Sequence, residues 1–242
     1  MSIECQGCES TGSLHRRSFL GALVALGATA FSGTTSADAL SKAKRDKLSP
    51  DEVLALMKKG NKRFASGGRM NHNFLAQQKA TAAGQYPMAA LLSCIDSRAP
   101  AETIMDLRIG DVFNTRLAGN IENADVLGGM EFACKLSGAK VILVMGHTAC
   151  GAIKGAIDNA ELGNLTGLLA KIKPAIKATD YDGARNASNY GFVDAVARTN
   201  VALTMADIRG RSGVLREMEA DGAIKIAGAM YELQTGAVDF FP

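Results

Sequence analysis

Two short stretches of this chain are apolar at almost every consecutive position. Residues 88–95 read Met-Ala-Ala-Leu-Leu-Ser-Cys-Ile, and residues 140–145 set Val-Ile-Leu-Val-Met after a single lysine. A strand points alternate side chains to opposite faces, so an unbroken apolar run must be covered on both faces. Sheets covered on both faces are built mainly from parallel strands, and parallel strands need crossover connections, most often helices. The two runs therefore predict an α/β domain with a central, mostly parallel sheet flanked by helices.

The segments around them fit that plan. Ser49-Pro50-Asp51-Glu52 reads as a helix start, with Ser as N-cap, Pro at the first helical position and acids in the first turn. A stripe of Val53, Leu54, Leu56, Met57 and Phe64 runs on to Gly67-Gly68, and a second helix is expected over residues 73–83. Together they form an N-terminal helical arm ahead of the sheet, and residues 41–49 read as a polar, basic lead-in. A weaker strand is expected at 111–117 and helices at 123–136, 149–160, 165–176, 192–208 and 212–220. Residues 223–233 and 237–241 read as two final strands joined by a turn at Thr235-Gly236.

The N-terminus has a different texture. Arg16-Arg17 precedes a mild apolar stretch over 19–31, and Ala37-Asp38-Ala39 offers small residues for a signal peptidase. This is the layout of a twin-arginine export signal over residues 1–39, ahead of one domain over 40–242. It implies contact with the twin-arginine export machinery and a periplasmic or secreted mature protein. Cys5 and Cys8 lie inside that segment and are expected to leave with it.

A hydrophobic share of 47% supports a buried core. A net charge of +3 without a basic stripe, and no Trp, argue against a nucleic-acid partner. Five cysteines, an odd number, do not make a disulfide framework.

Three residues stand where chemistry is expected. Cys94 closes the first apolar run, His147 follows the second, and Cys150 comes three residues later at a helix start. Ligands of parallel sheets bind beyond the carboxyl ends of strands. Thiolate and imidazole are preferred zinc donors, and three protein ligands with one open position are the catalytic pattern. Asp96 and Arg98 lie in the same turn as Cys94. The carboxylate can close the site as a fourth ligand, or pair with Arg98 and stay available to orient an attacking hydroxide.

Cys94-Ile95-Asp96-Ser97-Arg98, followed by Gly146-His147-Thr148-Ala149-Cys150-Gly151, resembles the signature of the β-class carbonic anhydrases. Residues 110–120 and the segment from Ile226 to Val238 resemble further blocks of that family, so the similarity spans roughly residues 50–241. The resemblance implies a β-carbonic anhydrase-like fold and reversible hydration of carbon dioxide to bicarbonate. It implies one Zn2+ per subunit on Cys94, His147 and Cys150, with Asp96 and Arg98 as the catalytic pair. In the plant-type branch it implies Gln85 reaching substrate across a dimer interface and Phe113 walling the pocket. Phe132 stands where that branch has Tyr. A homodimer or higher homo-oligomer follows. The rival readings are hydrolysis of carbon disulfide or carbonyl sulfide on the same scaffold, and a non-catalytic zinc-binding protein. Cys134 is expected in the core, His72 at a helix cap or the surface, and Asp106, Arg108 and Arg116 in local salt links.

Overall fold

The computed structural model describes residues 39–241; the export signal read at 1–39 lies, but for Ala39, outside them. The lead-in is not a bare arm. It holds a short helix, α1 (Lys42–Asp46), whose Arg45 is only 4% exposed. The guanidinium donates to the carbonyls of Ser137 and Pro87, which removes it from solvent. The Ser49 start behaves as its residue types require. Ser49 accepts from the Glu52 N–H at 3.2 Å while Glu52 accepts from the Ser49 N–H at 2.8 Å, opening α2 (Pro50–Ala65). α3 (Phe74–Thr81) follows.

β1 (Ala89–Ser93), the short α4 (Ala101–Ile104), β2 (Val112–Arg116) and α5 (Ala124–Glu131) come next. The helix expected over 123–136 ends at Glu131 and widens into a π turn over Phe132–Leu136. A π turn confined to the last five residues of a helix leaves too little chain after it for the phase shift to show in the apolar pattern. β3 (Val141–His147) leads to α6 (Gly151–Ile157), which starts later than expected because Cys150 is extended and Ala149 left-handed, and stops earlier because Asn159 is left-handed. The helix expected over 165–176 is two helices, α7 (Gly163–Ala170) and α8 (Lys173–Ala178). Pro174 accounts for the break: it has no N–H for the ladder, and its ring collides with the preceding turn. α9 (Tyr190–Arg211), α10 (Gly213–Ala220), β4 (Lys225–Tyr231) and β5 (Val238–Phe241) complete the chain.

The strands form one sheet in the order β2-β1-β3-β4-β5, parallel except for the antiparallel β4–β5 pair. Alternation explains the two apolar runs. Ala90, Leu92, Ile142 and Val144 face a core shared with Phe192, Val196 and Val201 of α9. Ala89, Leu91, Val141, Leu143 and Met145 face a second core with Val53 and Met57 of α2. Gly146 has to be glycine where β3 meets α9. A Cβ there would stand 2.8 Å from both Val201 Cγ2 and Met230 Sδ. Among the described residues no helix is long and apolar enough to cross a membrane.

Candidate metal centre

β1 and β3 are neighbours with Ser93 opposite Met145, so Cys94 and His147 leave the sheet at nearly the same level. Cys150 returns to them at the N-cap of α6. The ligand atoms of Cys94, His147 and Cys150 all lie within 4.8 Å of one another, and all three residues are buried. The two sulfurs are 4.0 Å apart. Bonds of about 2.3 Å at a tetrahedral zinc place two sulfurs about 3.8 Å apart. His147 Nδ1 lies 2.9 Å from the Thr148 carbonyl, which can only accept. That assigns the proton to Nδ1 and leaves a lone pair on Nε2, which is buried with no hydrogen-bond partner. An unpartnered buried nitrogen facing two thiols is what a soft or borderline dication would satisfy, so the residues fit zinc.

The charges agree. The bond from Cys150 holds the Cys94 thiol well below its usual value. Burial opposes this shift, while His147 and the Gly119 N–H support it. Cys150 is pushed up by the Cys94 sulfur beside it and by burial. Burial works to lower the His147 pKa, but the Cys94 sulfur, the Thr148 carbonyl and Asp96 together outweigh it and the net shift is upward. The pocket thus favours positive charge next to Cys94. Gly119 sits at φ +69°, and a Cβ on it would meet Ile172 Cδ1 at 2.7 Å. Only glycine brings that N–H to the sulfur without strain.

Asp96 is engaged by Arg98 rather than standing among the three donors. Arg98 Nε and Nη2 donate to its two oxygens at 2.9 and 2.7 Å, and the Arg98 N–H adds a third bond at 2.9 Å. The guanidinium holds the Asp96 carboxyl well below the usual carboxylate range, against the pull of burial. Its Oδ2 is 3.8 Å from His147 Nε2. The carboxylate is therefore ionised, fixed and beside the donor trio.

Several residues differ from their sequence reading. Arg116 makes no local salt link. Its Nε donates to the Cys94 carbonyl at 3.0 Å and its Nη2 to the Asp96 carbonyl, tying down the turn that carries both. His72 is neither cap nor surface residue. Its Nε2 lies 2.8 Å from Asp106 Oδ1, and the side chain is 2% exposed. Asp106 is not local either, because it binds Arg63 Nε at 2.6 Å across 43 positions. Arg108 does pair locally with Asp111, at 3.0 Å. Cys134 is buried in the core, which pushes its thiol up to about 12.

Gln85, Phe113 and Phe132 are not brought to the trio by this chain. Gln85 is exposed and precedes β1, whereas Cys94 follows it. Phe113 pairs with Ala90, four residues short of Cys94 and about 13 Å down the strand. It meets Phe132 edge to face at 6.0 Å, and Phe132 is 51% exposed. Nothing in the sequence singled out two acids that reach the turn between His147 and Cys150: Asp194 accepts from the Ala149 N–H at 2.8 Å and Glu232 from Thr148 Oγ1 at 3.2 Å. The 110–120 block contained Gly119 without marking its N–H as a partner of Cys94.

A mostly parallel sheet with a buried Cys-His-Cys donor set at its carboxyl edge and an ionised Asp beside it defines a metal-binding α/β enzyme. The carbonic anhydrase family profile matches residues 89–238. Carbonic anhydrase 2 of Mycobacterium tuberculosis (strain CDC 1551 / Oshkosh) is 33% identical over 186 residues, covering 74% of this chain and 87% of that one. The carbonic anhydrase of Pseudomonas aeruginosa PAO1 is 30% identical over 168 residues, covering 66% and 76%. The solved β-carbonic anhydrase of Aspergillus fumigatus superposes with a TM-score of 0.59 at 26% identity, over 79% of this chain and 89% of that one. One of the tetrameric β-carbonic anhydrases of Sordaria macrospora gives 0.58 at 26% identity, over 66% and 83%. The chain belongs to the β-carbonic anhydrase family. It catalyses the reversible hydration of carbon dioxide to bicarbonate and a proton, and the sulfur-analogue reading is not favoured.

Proposed function

We propose that hydration runs at one zinc ion held by Cys94, His147 and Cys150, with Asp96 and Arg98 as the acting side chains. Two thiolates and a neutral imidazole balance the charge of a dication. When bound, zinc supplies the Lewis acidity that lets a water lose its proton near neutral pH. Asp96 would accept a hydrogen bond from the attacking hydroxyl and so turn its lone pair toward the carbon. Arg98 keeps Asp96 ionised and turned away from the fourth position. The observation that carries this reading is the Asp96–Arg98 pair standing beside three buried donors.

The remaining assignments follow from the resemblance. Gln85 reaches the substrate from a second subunit and steadies bicarbonate, while Phe113 and Phe132 supply apolar wall, as in the plant-type branch. Exposure of Gln85 and Phe132 on one protomer supports a partner there, and the Sordaria macrospora relatives are tetrameric by description. The Arg16-Arg17 segment supports twin-arginine export to the periplasm or beyond.

Zinc content and carbon dioxide hydration, measured on the same samples, test the site. Cys94→Ser, His147→Ala and Cys150→Ser should each lose both. Asp96→Asn should keep zinc and lose activity on the order of 100-fold. Full zinc and full turnover in any ligand variant, or a wild-type rate in Asp96→Asn, would refute the assignment. Carbon disulfide and carbonyl sulfide assayed alongside should be poor substrates.

A further inference from the structure

The turn between His147 and Cys150 contains an outlier. Ala149 has φ +53°, a left-handed conformation that a Cβ makes costly. Such backbone persists only where its surroundings over-determine it. Thr148 N–H donates to the Tyr231 carbonyl at 3.0 Å. Thr148 Oγ1 donates to Glu232 Oε1 at 3.2 Å and accepts from Leu233 N–H at 3.1 Å. Ala149 N–H donates to Asp194 Oδ1 at 2.8 Å, across 45 positions.

The Thr148 carbonyl and the Ala149 N–H are the two ends of one planar peptide unit. The carbonyl end accepts a hydrogen bond from His147 Nδ1–H at 2.9 Å. The N–H end goes to Asp194. A continuous chain of hydrogen bonds therefore runs from the Asp194 carboxylate through the peptide to the imidazole, and ends at the free Nε2.

We propose that Asp194 is a positioning residue of the metal centre, acting on His147 through the single peptide unit between Thr148 and Ala149. The inference rests on the zinc reading above. A metal-binding imidazole gains a fixed tautomer, a fixed ring direction and extra basicity from an acceptor at its far nitrogen. Here the carboxylate supplies this at one remove, and linked hydrogen bonds polarise one another. The same bond holds Ala149 in the shape that brings Cys150 back toward His147.

The test compares full-length wild type, Asp194→Ala, Asp194→Asn and the Asp194→Ala/Ala149→Gly pair. Zinc affinity is read by chelator competition. The His147 Nδ1–H signal is read by 15N NMR, with and without zinc; three histidines in the chain keep assignment simple. Asp194→Ala should weaken zinc binding about 10- to 100-fold and shift the Nδ1–H signal. Asp194→Asn keeps an oxygen acceptor, so it should recover most of the affinity with a smaller shift. Ala149→Gly should recover part of it, because glycine holds positive φ unaided.

Wild-type affinity and an unmoved signal in Asp194→Ala would overturn the proposal. So would Asp194→Asn as weak as Asp194→Ala. Asp194→Asn with wild-type zinc affinity and signal but lost turnover would make the carboxylate a proton carrier instead. Should Asp194→Ala fail to fold, Asp194→Asn decides alone: its weaker acceptor must move the signal, and an unmoved one overturns the proposal. Failure of the functional reading shows separately, as a wild type without zinc or hydration, while the metal-free NMR arm still reads the relay.

Discussion

Arg116 shows how a residue acts on a site it does not enter. Its guanidinium offers several N–H groups in a rigid fork, and two of them go to the carbonyls on either side of Ile95. That turn carries Cys94 to the trio and Asp96 to Arg98, so a loose turn would misplace donor and carboxylate together. Arg116→Ala should lower zinc affinity and kcat/KM by about tenfold each. Arg116→Lys, whose donors all sit on one nitrogen, should fall between Arg116→Ala and wild type. Chelator dialysis followed by a hydration assay on the same samples checks this, and an Ala variant equal to wild type in both would exclude the role.

At the scale of elements, Asp106 ties the helical arm to the sheet. It sits after α4 at φ +50° and gathers Arg63 of α2 with Met70 N–H and His72 ahead of α3. Burial works to raise its pKa, but Arg63, His72 and the Met70 N–H outweigh it and the folded value is lowered. A carboxyl with a lowered folded pKa contributes stability that is complete above its unfolded value, about 4. The contribution is lost as pH falls through the folded value. Asp106→Asn should therefore lower Tm near neutral pH, and its gap from wild type should narrow steadily below about pH 4. Thermal melts of both proteins across pH 2–8 measure this; a gap that stays constant with pH would contradict it.

At the scale of the whole molecule, one protomer places Gln85 and Cys94 at opposite ends of β1. Five residues of strand span about 16 Å, too far for a glutamine to reach back. A two-fold partner would supply two equivalent contacts at once. Sedimentation should show at least a dimer, and Gln85→Ala should cut activity on the order of tenfold while zinc is kept. A fully active monomer would remove Gln85 from the site and leave the three donors untouched.

The residues themselves determined the two buried strands, the Ser49 start, and the donor types at strand ends. Each depends on local pattern: apolar runs that need two covered faces, a side chain that caps its own helix, sulfur and imidazole where a sheet ends. The tertiary structure decided whether Asp96 would close the site or pair with Arg98, because that depends on where a guanidinium lies in space. It also decided that Arg116 would find carbonyls, that His72 would be buried on Asp106, and that Asp194 would reach Ala149 across 45 positions. Long-range hydrogen bonds join residues whose separation along the chain says nothing about their distance. Only the packing of α9 against β3 brings that carboxylate to the peptide behind His147.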